Sequence, residues 1–516
     1  MDYLLGIDLG STNLKAVVYD VNGRAVASGS RPTLRFNPSA EHPDWAIWKP
    51  EQIWDSVAES IREALSAVPQ PANIRGVTVT GMGMDGLPMT EDGNWLYPFI
   101  SWHCPRTLPQ QRWWIEHIGA DRQFSLTGTP IWGFNTALRL LWMKEHEPEI
   151  LARAHKWVLI EDFVNYQLCG RFATDYSMAS TTLLFDQRQR RWSEELIAAS
   201  GVDGRLLCEA LPSGTILGEV HGRASAATGL AKGTPVVLGG HDYCCGMLPT
   251  GAFVPGVVLD VTGTWEMVVT ALDAPILDPA VGRLGVFVDS HVARGKWTVM
   301  GGAVAADMLE WFRREFGSDE RRKAEEQGGS DWTHLMAAAA SSPPGSRGVL
   351  FLPHMSGASC PVVDPTSMGA LVGLRNFVTK SDIQRAVIEG LDYQFLDIIE
   401  AYRRGLSVSP ERIVAIGGAT NNEFWMQNKA DVVGKPIEVP ALDEAVPLGA
   451  AILAGIGSGV YRDEAEAFAT VRRPGRVYEP DPALSSRYRE SYETWSALYT
   501  AIRPVHTQLH SQPAGH

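Results

Sequence analysis

The chain is predicted to be α/β: two related lobes, each a mixed sheet flanked by helices, with a central cleft between them. Three observations carry that prediction. Leu4-Leu5-Gly6-Ile7-Asp8-Leu9 is an apolar strand that turns at Gly10-Ser11-Thr12 and returns as Asn13-Leu14-Lys15-Ala16-Val17-Val18-Tyr19. A looser copy lies far downstream, where Val257-Val258-Leu259-Asp260-Val261 turns at Thr262-Gly263-Thr264 into Trp265-Glu266-Met267-Val268-Val269. Third, 516 residues are too many for one core and should divide into two large domains. A duplication spaced by about half the chain needs an architectural reason, and two facing lobes supply one. Backbone N–H groups and hydroxyls at each hairpin tip can hold phosphate oxygens, so the pair points to a nucleotide between the lobes.

The elements follow in order. Asn22-Gly23 is a two-residue turn signal that extends the first hairpin into a strand over 24–28. After a Pro/Trp-rich stretch (38–48), a helix begins near Pro50, with Ile53, Trp54, Val57, Ile61 and Leu65 on one face. Residues 74–80 form a buried strand ending in Gly81-Met82-Gly83-Met84-Asp85-Gly86, where glycines let backbone approach a ligand. Segments 136–145 and 150–170 read as helices. Residues 233–239 are a short strand that ends at Gly240-His241-Asp242, and glycine and proline mark a linker near 249–255. Segment 299–316 reads as helix, and 317–345, charged and rich in Gly, Ser and Ala, as a surface excursion. Ser381-Asp382-Ile383-Gln384 fits a capping box, with Ile383, Val387, Leu391, Phe395 and Ile398 on one face behind it. A strand over 412–416 runs into Gly417-Gly418-Ala419-Thr420-Asn421-Asn422 and a helix, and 447–457 is a small-residue helix. The expected division is 1–248, 255–500 and a loosely ordered tail over 501–516.

Composition narrows the function classes. Apolar residues make up 45% and charged residues 20%, as in an ordinary soluble protein. A formal charge of −14 argues against a nucleic-acid partner, because no basic stripe could offset it. Cys104, Cys169, Cys208, Cys244, Cys245 and Cys360 show no metal spacing, and no secretory leader or 18-residue apolar run is present. Reduced thiols, a cytoplasmic location and no membrane partner are therefore expected.

Several residues are placed to carry chemistry. Asp8, beside the first phosphate turn, can hold a divalent metal that bridges phosphate oxygens, or cap the turn. Ser11, Thr12 and Asn13 offer short donors, and Lys15 offers a point charge or a solvated strand face. Thr262, Gly263 and Thr264 repeat the arrangement in the second hairpin. Asp242, at a strand end before a helix-like run, can accept the proton of an attacking hydroxyl, and it equally suits a helix N-cap. His241 reads as its neighbouring support. Gly417, Gly418 and Ala419 present bare backbone for adenine and ribose, with Asn421 and Asn422 as donor and acceptor. Met84, Asp85, Trp102, His103 and Arg106 are candidates for a polyol site, where aromatics stack on sugar faces and charged groups fix hydroxyls.

This ordered set resembles the FGGY family of carbohydrate kinases. Gly369-Ala370-Leu371-Val372-Gly373-Leu374, followed by Asp382-Ile383 and Ala386-Val387-Ile388-Glu389, is similar to the family's C-terminal signature, and the likeness spans roughly residues 3–460. The resemblance implies two ribonuclease-H-like lobes of the actin/hexokinase type. It further implies ATP and Mg²⁺ as cofactors, with Asp8 organising the metal and Asp242 as base. Ser11, Thr12, Asn13, Lys15, Thr262, Gly263, Thr264, Gly417, Gly418, Ala419 and Asn422 would lie on the nucleotide, and Met84, Asp85, Trp102, Arg106 and Asp242 on the sugar.

Within the family, the likeness is nearest to the fuculokinase branch. It rests on Leu96-Tyr97-Pro98-Phe99-Ile100-Ser101-Trp102-His103-Cys104-Pro105-Arg106-Thr107, Gly240-His241-Asp242 and Gly263-Thr264-Trp265-Glu266. Xylulokinases usually carry Trp-Asn-Asp-x-Arg in place of Trp102–Arg106, and Met-His-Gly in place of Met84-Asp85-Gly86. Cys244-Cys245-Gly246 departs from the fuculokinase pattern. L-Fuculose, phosphorylated on its primary hydroxyl, is the expected substrate. Xylulose, ribulose and other polyols remain open, as do a homodimer and, from another class, an actin-like ATPase or a catalytically silent sugar sensor. Neither of the last two would need Asp242.

Overall fold

The computed structural model describes residues 1–442 and 444–510. Its opening hairpin is β1 (Tyr3–Leu9) and β2 (Asn13–Asp20), continued into β3 (Ala25–Pro32). Every side chain of β1 except Asp8 is buried, as expected for a strand covered on both faces. Helix α1 (Pro50–Ser66) buries Ile53, Val57, Ile61 and Leu65, the stripe its periodicity predicts. Then come β4 (Ile74–Gly81), α2 (Thr136–His146), β5 (Lys156–Leu159), α3 (Ile160–Cys169), α4 (Tyr176–Ser180), β6 (Ile216–Glu219) and β7 (Pro235–His241). The first sheet has six strands in the order β6-β7-β4-β1-β2-β3. Its centre, β7, β4 and β1, is parallel, and its outer pairs are antiparallel.

Helix α5 (Asp242–Met247) leads through turns to the second hairpin, β8 (Val257–Thr262) and β9 (Trp265–Leu272). Next are β10 (Phe287–Ser290), β11 (Trp297–Val304), α6 (Ala306–Phe316), α7 (Ser318–Gln327), α8 (Asp331–Ser341) and the long α9 (Lys380–Gly405). The chain finishes with β12 (Arg412–Ile416), α10 (Glu423–Val433), β13 (Ile437–Val439), α11 (Ala445–Gly457), β14 (Arg476–Tyr478), α12 (Pro482–Ser496) and α13 (Leu498–His510). These strands build a seven-stranded sheet, β10-β11-β9-β8-β12-β13-β14. The duplication is visible in the pairing: β1 and β8 each open a hairpin and each run parallel to a later strand, β4 and β12. One core joins the halves. Leu4 and Val17 of the first sheet belong to the same buried cluster as Leu259, Val269 and Val414 of the second, with Cys244, Cys245, Leu448 and Ala451 from α5 and α11.

Five expectations need correction. Segment 150–170 is not one helix, because β5 interrupts it to pair with the strand Gly86–Met89; a short apolar run does not reveal its period. Residues 297–304 are strand, paired with β9 along their length, and Gly301-Gly302 weakens the helical alternative. Segment 317–345 is helical in α7 and α8, and α8 buries Leu335, Met336 and Ala339 in the second core. The capping box of α9 is Thr379 with Asp382, not Ser381: Asp382 N donates to Thr379 Oγ1 at 3.3 Å and Thr379 N to Asp382 Oδ2 at 2.8 Å. The stretch from 501 is helical to His510, with Pro504 inside α13. It is anchored where Tyr499 OH donates to Asp364 Oδ2 at 2.7 Å and where buried His506 Nδ1 accepts the Met368 amide at 3.2 Å. Residues 511–516 of the expected tail lie outside the described residues.

Candidate active site

Three parallel strands end together. Asp8 is level with Thr80, and Leu9 with Gly81, while His241 is level with Gly81 from the other side. Neighbouring strands lie about 4.8 Å apart. This edge therefore gathers Asp8, the 81–84 loop and the His241-Asp242 turn, at the carboxyl ends of parallel strands where α/β sheets take ligands. The loop covers the turn closely: a Cβ on Gly83 would sit 2.7 Å from His241 Nε2. Met84 adopts φ 77°, a conformation costly for a non-glycine residue, and its carbonyl accepts Thr136 Oγ1 at 2.8 Å and Arg139 Nη1.

Asp242 opens α5 with its side chain 34% exposed. Its Oδ1 accepts the Tyr243 amide at 2.6 Å and His241 Nδ1 at 2.7 Å, so the carboxylate is oriented yet open. Burial works to lower the proton affinity of His241. The charges of Asp242, Asp289 and Asp175 outweigh it, and the net shift is upward. Asp8 is pushed up to about 8, first by burial and then by the charge of Asp242, with Lys15 opposing and Glu444 adding. Lys15 itself is engaged: its Nζ meets Glu444 Oε1 at 2.6 Å, so a phosphate would compete for it. Ser11 is half-buried, and Thr12 and Asn13 are exposed at the hairpin tip.

The polyol candidates separate. Trp102 is 36% exposed and stacks on His103 with centroids 3.7 Å apart. Asp85, expected to touch the sugar, is sealed: Arg139 Nη1 lies 2.8 Å from Oδ1 and Trp48 Nε1 donates to Oδ2 at 2.6 Å. Burial raises its proton affinity against the opposing pull of Arg139, the Trp48 indole and the Trp102 backbone amide. Arg106 is likewise buried, its guanidinium 4.0 Å over Trp45 and 5.0 Å from Trp142, with Nη1 donating to Tyr97 OH at 3.4 Å. The residue that pairs with Asp85 is thus Arg139, which the sequence did not single out because α2 is apolar around it. Phe134 and Trp132 extend the aromatic wall, Phe134 at 6.4 Å from Trp102 and stacked on Trp132 at 5.8 Å.

A second concavity lies in the other lobe. A cavity of about 540 Å³ is lined by Gly263 and Thr264 of the second hairpin tip and by Gly418, Ala419, Asn421 and Asn422. Gly417 sits just behind, at φ 106°, where a Cβ would collide with the Thr262 carbonyl. Asn422 Oδ1 caps α10 by accepting the Trp425 amide at 3.0 Å. Thr262 is a correction. Its hydroxyl is buried, donating to Asp260 Oδ1 at 2.8 Å and accepting Lys429 Nζ at 3.1 Å, so it has nothing to offer a phosphate. Ser330, Trp332, Thr333 and Met336, which also line it, come from the segment expected to be a surface excursion. The signal was present: Ser330 as N-cap before Trp332, Leu335, Met336 and Ala339 is a capped amphipathic helix.

The comparisons with known proteins bear on the family and the fold. The model of the FGGY family of carbohydrate kinases, N-terminal domain, matches residues 3–249, and that of the C-terminal domain matches residues 259–458. The chain is 30% identical to an L-fuculokinase of Escherichia coli over 93% of its own length and 97% of the relative's. It is 27% identical to a xylulose kinase of Bacillus subtilis over 99% of both chains. Its fold matches the crystal structure of xylulose kinase from Rhodospirillum rubrum with a TM-score of 0.88 at 26% identity, over 98% of this chain and 100% of that one. With both domain models matched in order across a two-lobed fold, the chain belongs to the FGGY family of carbohydrate kinases.

Proposed function

We propose that this ATP-dependent sugar phosphotransferase transfers the γ-phosphoryl group of ATP to the primary hydroxyl of a ketose, best L-fuculose, with Asp242 as general base. One observation carries the reading: an oriented, open carboxylate stands at the carboxyl edge of the first sheet, beside Asp8 and the 81–84 loop. Lobe 1–248 then holds the sugar and lobe 255–500 the nucleotide.

The steps follow from the residues. Trp102 offers an aromatic face to the sugar ring, and Met84, held in its strained conformation, borders it. Asp85 and Arg106 act from behind, Asp85 taking the Trp48 indole N–H and Arg106 lying over the Trp45 ring. Asp242 accepts the hydroxyl proton on the oxygen left free by Tyr243 and His241, as the hydroxyl oxygen attacks the γ-phosphorus in line. Thr264 and the Ser11–Asn13 tip give N–H and hydroxyl donors to the phosphates, with Gly263, its own N–H donating to the Trp265 carbonyl, leaving room for close approach, and the cavity lined by Trp332 and Gly418-Ala419-Asn422 takes the nucleoside.

Mg²⁺ fits Asp8. Burial and Asp242 leave that carboxylate with a raised proton affinity that a cation would relieve. Among the described residues no cluster of three acidic, His or Cys groups forms a metal cage. A single carboxylate completed by phosphate oxygens and water is the usual magnesium arrangement. When bound, the ion neutralises charge on the transferring phosphate.

The L-fuculokinase likeness favours L-fuculose. The matched xylulose kinases make D-xylulose the second reading, supported by the shared fold and full-length coverage. A panel of ketoses and polyols with ATP, read by ADP release, separates them. Higher kcat/KM for L-fuculose supports the first reading, and preference for D-xylulose replaces it with the second.

A further inference from the structure

Behind the Gly240-His241-Asp242 turn lies a buried polar relay that the steps above do not use. Asp175 ends the strand Ala173–Asp175 and is wholly buried. Its Oδ1 accepts the Ser177 amide at 2.7 Å and the Met178 amide at 3.3 Å, capping α4, and it also accepts the Ser177 hydroxyl. With its proton given to Asp175, Ser177 Oγ is left as an acceptor, and it takes the His241 backbone N–H at 2.8 Å. On the other side, Thr80 Oγ1 of β4 donates to the Gly240 carbonyl at 2.6 Å. Those two atoms, the Gly240 C=O and the His241 N–H, belong to one peptide unit.

That unit is therefore held at both polar ends, by two buried hydroxyls from different elements. The approach is close enough to require glycine: a Cβ on Gly240 would lie 2.7 Å from Ser177 Oγ and 3.0 Å from Asp175 Oδ1. A planar peptide fixed at both ends has no freedom to rotate, and the chain leaves it through the single residue His241 into Asp242. Glu161 lies buried against Asp175 with no donor on either oxygen. Burial first, and then the charges of Asp175 and Asp162, push its proton affinity well above the usual carboxylate range.

We propose that Thr80 and Ser177, the latter oriented by Asp175, are positioning residues that lock the Gly240–His241 peptide plane and so aim the Asp242 carboxylate. The inference rests on the reading of Asp242 as general base. An unlocked plane would leave substrate binding intact and misdirect the base, and small misplacements of a catalytic group cost up to about a hundredfold in rate.

The test uses Ser177→Ala, Thr80→Val and Ser177→Thr in the full chain, with ATP and L-fuculose, or D-xylulose if that sugar is the one turned over. Ser177→Ala and Thr80→Val should each lower kcat by about 10–100-fold, with KM for ATP and sugar within about twofold of wild type. Hydrogen exchange in the peptide carrying residues 235–247 should be faster in Ser177→Ala, since the His241 amide has lost its acceptor. Ser177→Thr keeps the hydroxyl and should recover most of kcat. A kcat within twofold of wild type in Ser177→Ala overturns the proposal. So does a loss shared by kcat, both KM values and the melting temperature, or a Ser177→Thr variant no better than alanine. Asp242→Asn, run in parallel, separates the two readings. If it keeps turnover, the base assignment falls and this inference with it; if it is inactive while Ser177→Ala is normal, only the positioning role falls.

Discussion

The charge of Asp242, at the end of one parallel strand, raises the proton affinity of Asp8 on a strand two places away in the same sheet. Two carboxylates converging on one sheet edge are poorly balanced without a cation between them. With Asp8 pushed up to about 8, first by burial and then by the charge of Asp242, a Mg²⁺ held there would compete with a proton at neutral pH. The apparent affinity for magnesium in the presence of ATP should therefore rise about tenfold per pH unit up to about 8 and level off above it. Asp8→Asn should flatten the profile and weaken the affinity. Magnesium titrations between pH 6 and 9 showing no slope in wild type would remove Asp8 from the metal site.

Arg139 and Asp85 form an ion pair with neither side chain exposed. Removing one partner strands the other charge in the interior, at a cost of about 3–5 kcal/mol. Arg139→Met should lower the melting temperature clearly, and adding Asp85→Asn should restore part of the loss. Turnover in the double variant should stay depressed, because the Trp102 backbone amide has lost its carboxylate partner. Additive effects in a double-mutant cycle of thermal melts would show that the pair is not coupled.

Trp332 lines the same cavity as Gly418 and Ala419. Trp332→Ala should raise KM for ATP by about 5–10-fold, the loss of roughly one aromatic stacking contact, and leave KM for the sugar alone. Steady-state kinetics with each substrate varied in turn decides it. An unchanged ATP KM would place the nucleoside elsewhere.

How much could be read from the sequence depended on period and on partners. The two hairpins were legible because strand, turn and strand are short and repeated, and Arg412–Ile416 because it runs into glycines. Asp8 and Asp242 were legible as strand-end carboxylates. What brings them together is the parallel order β7-β4-β1, a long-range pairing that no local pattern encodes. Lys156–Leu159 and the first part of 299–316, residues 299–304, read as helix because short apolar runs carry no clear period; their strand partners decide otherwise, while Ala306–Phe316 is helix as expected. Asp85 looked like a sugar ligand because a carboxylate beside glycines suggests one. Its burial depends on Arg139 and Trp48, which sit 54 positions after and 37 before it in the chain. Thr262 looked like a phosphate donor because its hairpin tip repeats the first, but Lys429, from a distant helix, donates to its hydroxyl.

The central claim is tested most directly by ADP release with ATP and the ketose panel, for wild type and Asp242→Asn side by side. Wild type should phosphorylate L-fuculose with a higher kcat/KM than D-xylulose. Asp242→Asn should keep its affinity for ATP and lose at least about 10²–10⁴ in rate, because an amide cannot accept the hydroxyl proton. Turnover by Asp242→Asn within a few-fold of wild type would contradict the account.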